Sequence, residues 1–152
     1  MTDRYLDDLT VGESWTSEPF VLTEEEIVAF ATEFDPQPMH IDKAAAEAGR
    51  FGGLIASGWH VCSRVMRQFV DEAHFGRTPL LGMNVDALWW VRPVRPGDIL
   101  TVRREILDIR PSKSQPDRGV IRTKTTVTNQ DGDLAMSFEN QMQLPRNAEA
   151  RL

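Results

Sequence analysis

A chain of 152 residues, 41% of them hydrophobic, is long enough for one domain to bury a core. Its net charge of −6 excludes the concentrated basic face that nucleic-acid phosphates require, and no apolar run reaches the ~20 residues of a membrane helix. Cys62 is the only cysteine, which rules out an internal disulfide and a cysteine-ligated zinc site. The first eight residues lack the basic-then-apolar build of a secretory signal, so the cytoplasm is the expected compartment. With no repeat, low-complexity tract or long linker, residues 1–152 are expected to form a single domain.

In chain order, Gly12 to Leu22 carries strand-like residues but includes Pro19, which predicts an edge or entry position. Thr23-Glu24-Glu25-Glu26 is a capping box, and Ile27, Phe30, Ala31 and Phe34 then recur at helical spacing. A helix is predicted from about Glu24 to Phe34, ending where Asp35-Pro36-Gln37-Pro38 pushes the backbone out of the α region. Asp42 is expected to cap a short helix, Lys43 to Ala48, closed by Gly49, and Gly52-Gly53 marks a turn. Gly58 to about His74 is again helical, with Cys62, Val65, Met66, Phe69 and Ala73 on one face.

After Gly76 the period becomes two. Leu81, Met83, Val85, Ala87 and Trp89 point one way, while Asn84, Asp86 and Trp90 point the other. Ile99 to Ile109 and Gly119 to Asn129 are two further predicted strands, Asp131-Gly132 signals a hairpin, and Leu134 to Leu144 alternates along the last. Pro145 to Leu152 is expected to be a frayed tail. The long helix is the natural cover for one face of such an antiparallel meander. The predicted class is therefore α+β, a sheet curled around a central helix.

The chemistry concentrates in Phe34-Asp35-Pro36-Gln37-Pro38-Met39-His40-Ile41-Asp42. Five positions apart, Asp35 and His40 would stand roughly 140° apart on a continuous helix and on opposite faces of a strand. With two prolines between them, a rigid irregular loop is expected, and such a loop can bring both side chains to one point. A carboxylate and an imidazole sharing one water can take a proton from it and deliver one elsewhere. Spacing alone fits equally a turn-forming Asp-Pro and a satisfied polar histidine.

This segment resembles the signature of the MaoC-like dehydratases, the family of (R)-specific enoyl-CoA hydratases built on the hotdog fold. The family pattern is Asp, any residue, Asn, Pro, an apolar residue, His, any residue, Asp. Asp35, Pro38, Met39, His40 and Asp42 match it, and Gln37 stands where Asn is usual. Gly53-Leu54-Ile55-Ala56-Ser57-Gly58 is similar to the family's glycine-containing entry to the central helix, and Pro93 to Asp98 more loosely to its strand-connecting turn. The resemblance implies a hotdog fold and reversible addition of water to a 2-enoyl-CoA, with Asp35 and His40 as the catalytic pair. Which of the two is the base stays open. It implies that the Gly58 backbone N–H polarises the thioester carbonyl, a role that the N-terminal end of a helix suits. An ordinary helix-entry glycine fits Gly58 as well. Ser57 and Gln37 are candidate substrate contacts, Ser57 otherwise being a helix cap. The resemblance also implies a homodimer or higher assembly and an acyl-CoA substrate, with no metal or redox cofactor. A thioesterase of the same fold and a non-catalytic acyl-CoA-binding subunit are the alternatives.

Of the remaining residues, Cys62 is expected in the core and Asp42 as a cap. One of Trp89 and Trp90 should pack inside, leaving the other for a pocket or subunit contact. Arg92 and Arg95 suit either coenzyme A phosphates or solvated turns.

Overall fold

The computed structural model describes residues 2–147. A 3-10 turn at Leu6–Asp8 leads to β1 (Ser14–Thr16) and β2 (Phe20–Val21), followed by α1 (Glu24–Phe34), α2 (Pro38–Ile41), α3 (Lys43–Ala48) and α4 (Gly58–Glu72). The meander β3 (Leu81–Trp90), β4 (Ile99–Pro111), β5 (Arg118–Thr128) and β6 (Leu134–Pro145) completes the chain. The strands form one antiparallel sheet in the order β1-β4-β5-β6-β3, with β2 also pairing β4, so β3 is a free edge. This is the predicted α+β arrangement, a curved sheet around a central helix.

Local signals hold where they are chemical. The Thr23 hydroxyl accepts from Glu26 N at 3.1 Å and the Glu26 carboxylate accepts from Thr23 N at 2.9 Å, closing the capping box of α1. Asp42 caps α3 by accepting from Ala45 N at 3.0 Å. Four expectations need correction. Pro38 to Ile41 is a helical turn, not irregular loop, because a proline at the first helical position loses no hydrogen bond. Pro145 ends β6, and Arg146 and Asn147 dock on Asp7 rather than fray; residues 148–152 lie outside the described residues. The alternation along β3 breaks at bulges after Gly82 and Asp86, where Ala87 has φ 48°. An extra residue in a bulge reverses the facing of the residues beyond it, so Leu88, not Trp89, packs against the core. Neither Trp89 nor Trp90 is buried, and on α4 Val61 and Val65 are buried while Met66 is exposed.

The central helix is held to the sheet by more than apolar contact. From the inner face of β4, Arg104 donates to Gln68 Oε1 at 2.8 Å and to the Val65 carbonyl at 2.9 Å, and its guanidinium lies 3.3 Å from the Glu72 carboxylate. Burial holds its pKa down at about 10, so it remains charged at neutral pH.

His60 packs on the other side of α4, stacked on Phe30 of α1 with ring centroids 4.7 Å apart. Its Nδ1 is buried without a partner among the described residues. Burial lowers its pKa below the ordinary histidine value, with Glu26 and Arg64 as charged neighbours of opposite effect. The folded state therefore binds fewer protons than the unfolded chain between that lowered value and ~6.5. Stability should be full above pH ~6.5 and fall as pH drops through this window, by up to ~1.4 kcal/mol per unit. Urea titrations of wild type and His60→Leu between pH 7 and 5 check this, since an equally steep fall in the variant would exonerate His60.

Candidate active site

Asp35 closes α1, its N–H bonded to the Ala31 carbonyl at 2.8 Å, and its own carbonyl accepts from Gln37 N at 2.7 Å. His40 follows on the single turn of α2, which is tied to the segment entering α4. Ile55 N donates to the Met39 carbonyl at 3.1 Å, and Ala56 N donates to the Val94 carbonyl at 2.8 Å. The strip Leu54 to Ser57 is thus clamped between α2 and the turn before β4, and it delivers Ser57 and Gly58 beside Asp35.

The His40 ring is buried, with Nδ1 2.7 Å from the Ile55 carbonyl. A carbonyl only accepts, so Nδ1 carries a proton in either charge state, and in the neutral ring the lone pair lies on Nε2. Nε2 stands 3.4 Å from Asp35 Oδ2. Gln37 Nε2 donates to Asp35 Oδ1 and the Ser57 hydroxyl to Oδ2, both at 2.7 Å. Those two bonds, Gln37 first, hold the Asp35 carboxyl below the usual carboxylate range; burial opposes them and the His40 charge assists. Asp35 is therefore an anion at neutral pH, aimed by two donors and facing an imidazole lone pair.

The structure thus brings together Asp35, His40, Gln37 and Ser57. Gln37 and Ser57, candidates for substrate contacts, both place a donor on the carboxylate. Ser57 occupies the N-cap position of α4 but makes no capping bond with its side chain, because its hydroxyl is turned to Asp35. The Gly58 N–H has no hydrogen-bond partner among the described residues, as expected in a first helical turn. A Cβ on Gly58 would run into the Trp90 indole, so glycine is required there by packing as well. Sequence reasoning missed two participants. The Ile55 carbonyl is a backbone atom without a side-chain signature, and the approach of Trp90 to Gly58 joins residues distant in sequence.

Cys62 lines the first core cluster, and burial raises its thiol pKa, which leaves it unreactive. Arg95 donates to the Phe51 carbonyl, and Arg92 pairs with Asp133 at 3.4 Å. Among the described residues no cluster of three or more His, Cys, Asp or Glu could hold a metal ion, and no helix is long and apolar enough to cross a membrane.

Comparison with known proteins bears on this geometry. A family model described as the MaoC like domain matches residues 9–129. The uncharacterized protein YdeM of Bacillus subtilis (strain 168) is 31% identical over 125 residues, which make up 82% of this chain and 87% of that protein. The crystal structure of a MaoC-like dehydratase from Rhodospirillum rubrum superimposes with a TM-score of 0.86 at 38% identity, covering 95% of this chain and 98% of that one. The unliganded R-hydratase PhaJ1 from Pseudomonas aeruginosa does so with a TM-score of 0.76 at 26% identity, over 94% and 86% of the two chains.

Proposed function

The chain belongs to the MaoC-like domain family, a hotdog-fold family that includes hydratases and dehydratases, and on that footing we propose that it reversibly hydrates the 2,3 double bond of an enoyl-CoA. One observation carries the reading. With Nδ1 held by Ile55, His40 Nε2 and Asp35 Oδ2 are two acceptors 3.4 Å apart, which suits a water donating one hydrogen to each.

His40 is the base of the pair. Both Asp35 oxygens already accept hydrogen bonds that weaken them as bases, whereas Nε2 has its lone pair free. As the water oxygen bonds to C3, Nε2 takes its proton and the pair of electrons of the double bond moves toward the thioester oxygen. The Gly58 N–H and the positive end of α4 steady that enolate. The imidazolium then returns a proton to C2 on the same face, so the enzyme ends as it began. Dehydration is the reverse. Incubation with crotonyl-CoA tests this directly: the conjugated enoyl absorbance should fall with no release of free thiol. Free coenzyme A appearing while the enoyl signal persists would make the protein a thioesterase.

Ser57 then acts through Asp35. Ser57→Ala removes a donor that holds the carboxyl pKa down, so the acid limb of the rate profile should move to higher pH, toward the ordinary carboxylate range. A lower rate with an unmoved limb would limit Ser57 to a structural role.

The proposal includes a homodimer. The free edge strand β3 exposes Leu81, Met83, Val85 and Trp89, and α4 exposes Met66 and Val70. An unpaired apolar edge in water invites pairing, and a second copy supplies the matching edge across a two-fold axis. Light scattering should return twice the 17.2 kDa chain mass, and Met83→Lys with Val85→Lys should shift it toward one. A wild-type monomer at micromolar concentration would reject this assembly.

A further inference from the structure

The interior of the protein is divided. One apolar cluster includes Val102, Val127 and Met136, and the other includes Ile106, Ile121 and Met142. Between them a cavity of about 590 Å³ runs beneath α4, roofed by Trp59, Cys62, Met66 and Phe69, which recur on one helical face. Its floor is polar. Thr125 on β5 pairs with Arg104 on β4, and Thr123 on β5 pairs with Asn140 on β6, all on the inner face of the sheet. The inner rows on either side are apolar, so this band of four is where an aliphatic row would have joined the two clusters.

Such a band opposes stability unless its groups are matched, since a buried polar group left unpaired costs ~1–3 kcal/mol. Arg104, 4% exposed, is matched by Gln68, Glu72 and the Val65 carbonyl of α4. Thr123 donates to Asn140 Oδ1 at 2.6 Å. The amide hydrogens of Asn140 and the hydroxyl of Thr125, a residue 2% exposed, form no side-chain hydrogen bond among the described residues. Both face the cavity, beside a guanidinium. Donors thus remain unmatched at the bottom of an otherwise apolar chamber.

The chamber begins at Trp59, next to the proposed thioester site at Gly58. Val65, whose carbonyl holds Arg104, lies about 10 Å farther along the helix axis at ~1.5 Å per residue. An extended chain advances ~3.5 Å over three bonds, so the floor is reached after roughly eight or nine bonds. We infer that the acyl group taken by this enzyme carries an oxygen acceptor, as hydroxyl, keto or carboxylate, near that distance from the thioester, seated on Thr125 and Asn140. This rests on the hydratase reading and narrows its substrate class. A plain alkyl chain would fill the same space while leaving both donors unmatched.

The test compares 2-enoyl-CoAs of equal length, about C8 to C10, with an alkyl, hydroxyl, keto or carboxylate end. At least one oxygenated series should exceed the alkyl series by about 10- to 100-fold in kcat/KM. In Thr125→Val combined with Thr123→Val and Asn140→Leu, that ratio should fall toward one; if the triple variant does not fold, Thr125→Val alone should lower it. Equal or better use of the alkyl series, or an unchanged ratio in the variants, overturns the inference. If no enoyl-CoA reacts, crotonyl-CoA included, the hydratase reading has failed instead. Calorimetry with saturated acyl-CoAs bearing the same ends then decides. Tighter binding of an oxygenated end, lost in the variants, supports the chamber, and equal binding of all ends overturns it.

Discussion

Asp35→Asn and His40→Ala are each expected to lower kcat/KM for enoyl-CoA hydration by about a hundred- to ten-thousand-fold, the usual worth of a positioned acid–base group. The two act on one water, so the double variant should be little worse than the poorer single one. Their routes differ. In His40→Ala no group remains to take the water proton, and the Ile55 carbonyl loses a donor that reached it at 2.7 Å. A modest loss of stability is therefore expected beside the loss of rate, and circular dichroism and a urea midpoint separate the two. Asp35→Asn keeps the shape of the side chain but removes the charge that the Gln37 and Ser57 donors hold in place. Near-wild-type rates in both folded variants would remove the pair from the mechanism and the water-sharing geometry with it.

Arg104→Ala is expected to destabilise the fold by about 3–5 kcal/mol, the range for breaking a buried ion pair by deleting one partner. Native domains of this size are stable by only ~5–15 kcal/mol. The deletion leaves Glu72 without its cation and the Val65 carbonyl and Gln68 without their donor, and it opens space against Phe69, over which the guanidinium lies at 5.0 Å. Arg104→Met, which keeps the length and drops the charge, should recover part of the packing while leaving Glu72 unmatched. Urea unfolding at pH 7 measures both. A change below ~1 kcal/mol in the alanine variant would mean that α4 is held by its apolar face alone.

Much of the fold is legible in the sequence because its signals are local. The Thr23–Glu26 capping box, the Asp42 cap and the switch from helical to two-residue period each depend on residues within a few positions of one another. The same holds for the Asp35 to Asp42 segment, whose residue types resemble the family pattern before any coordinates are seen. The helical turn at Pro38 escapes a reading in which proline excludes a helix, because at the first helical position proline starts one instead. The facing of residues along β3 escapes it too, because bulges are set by pairing with β6, which the strand's own sequence does not announce.

The sequence by itself determined the α+β class, the order of elements and the two residues on which the proposed chemistry rests, since these follow from composition, periodicity and a short motif. Tertiary structure alone decided which nitrogen of His40 is free, that Ser57 and Gln37 serve Asp35, and that a polar band divides the core. Each of these depends on atoms brought together from distant parts of the chain. A hydrogen bond from the His40 ring to the Ile55 carbonyl, or a hydroxyl turned from a helix end to a carboxylate, exists only once the backbone between them has folded.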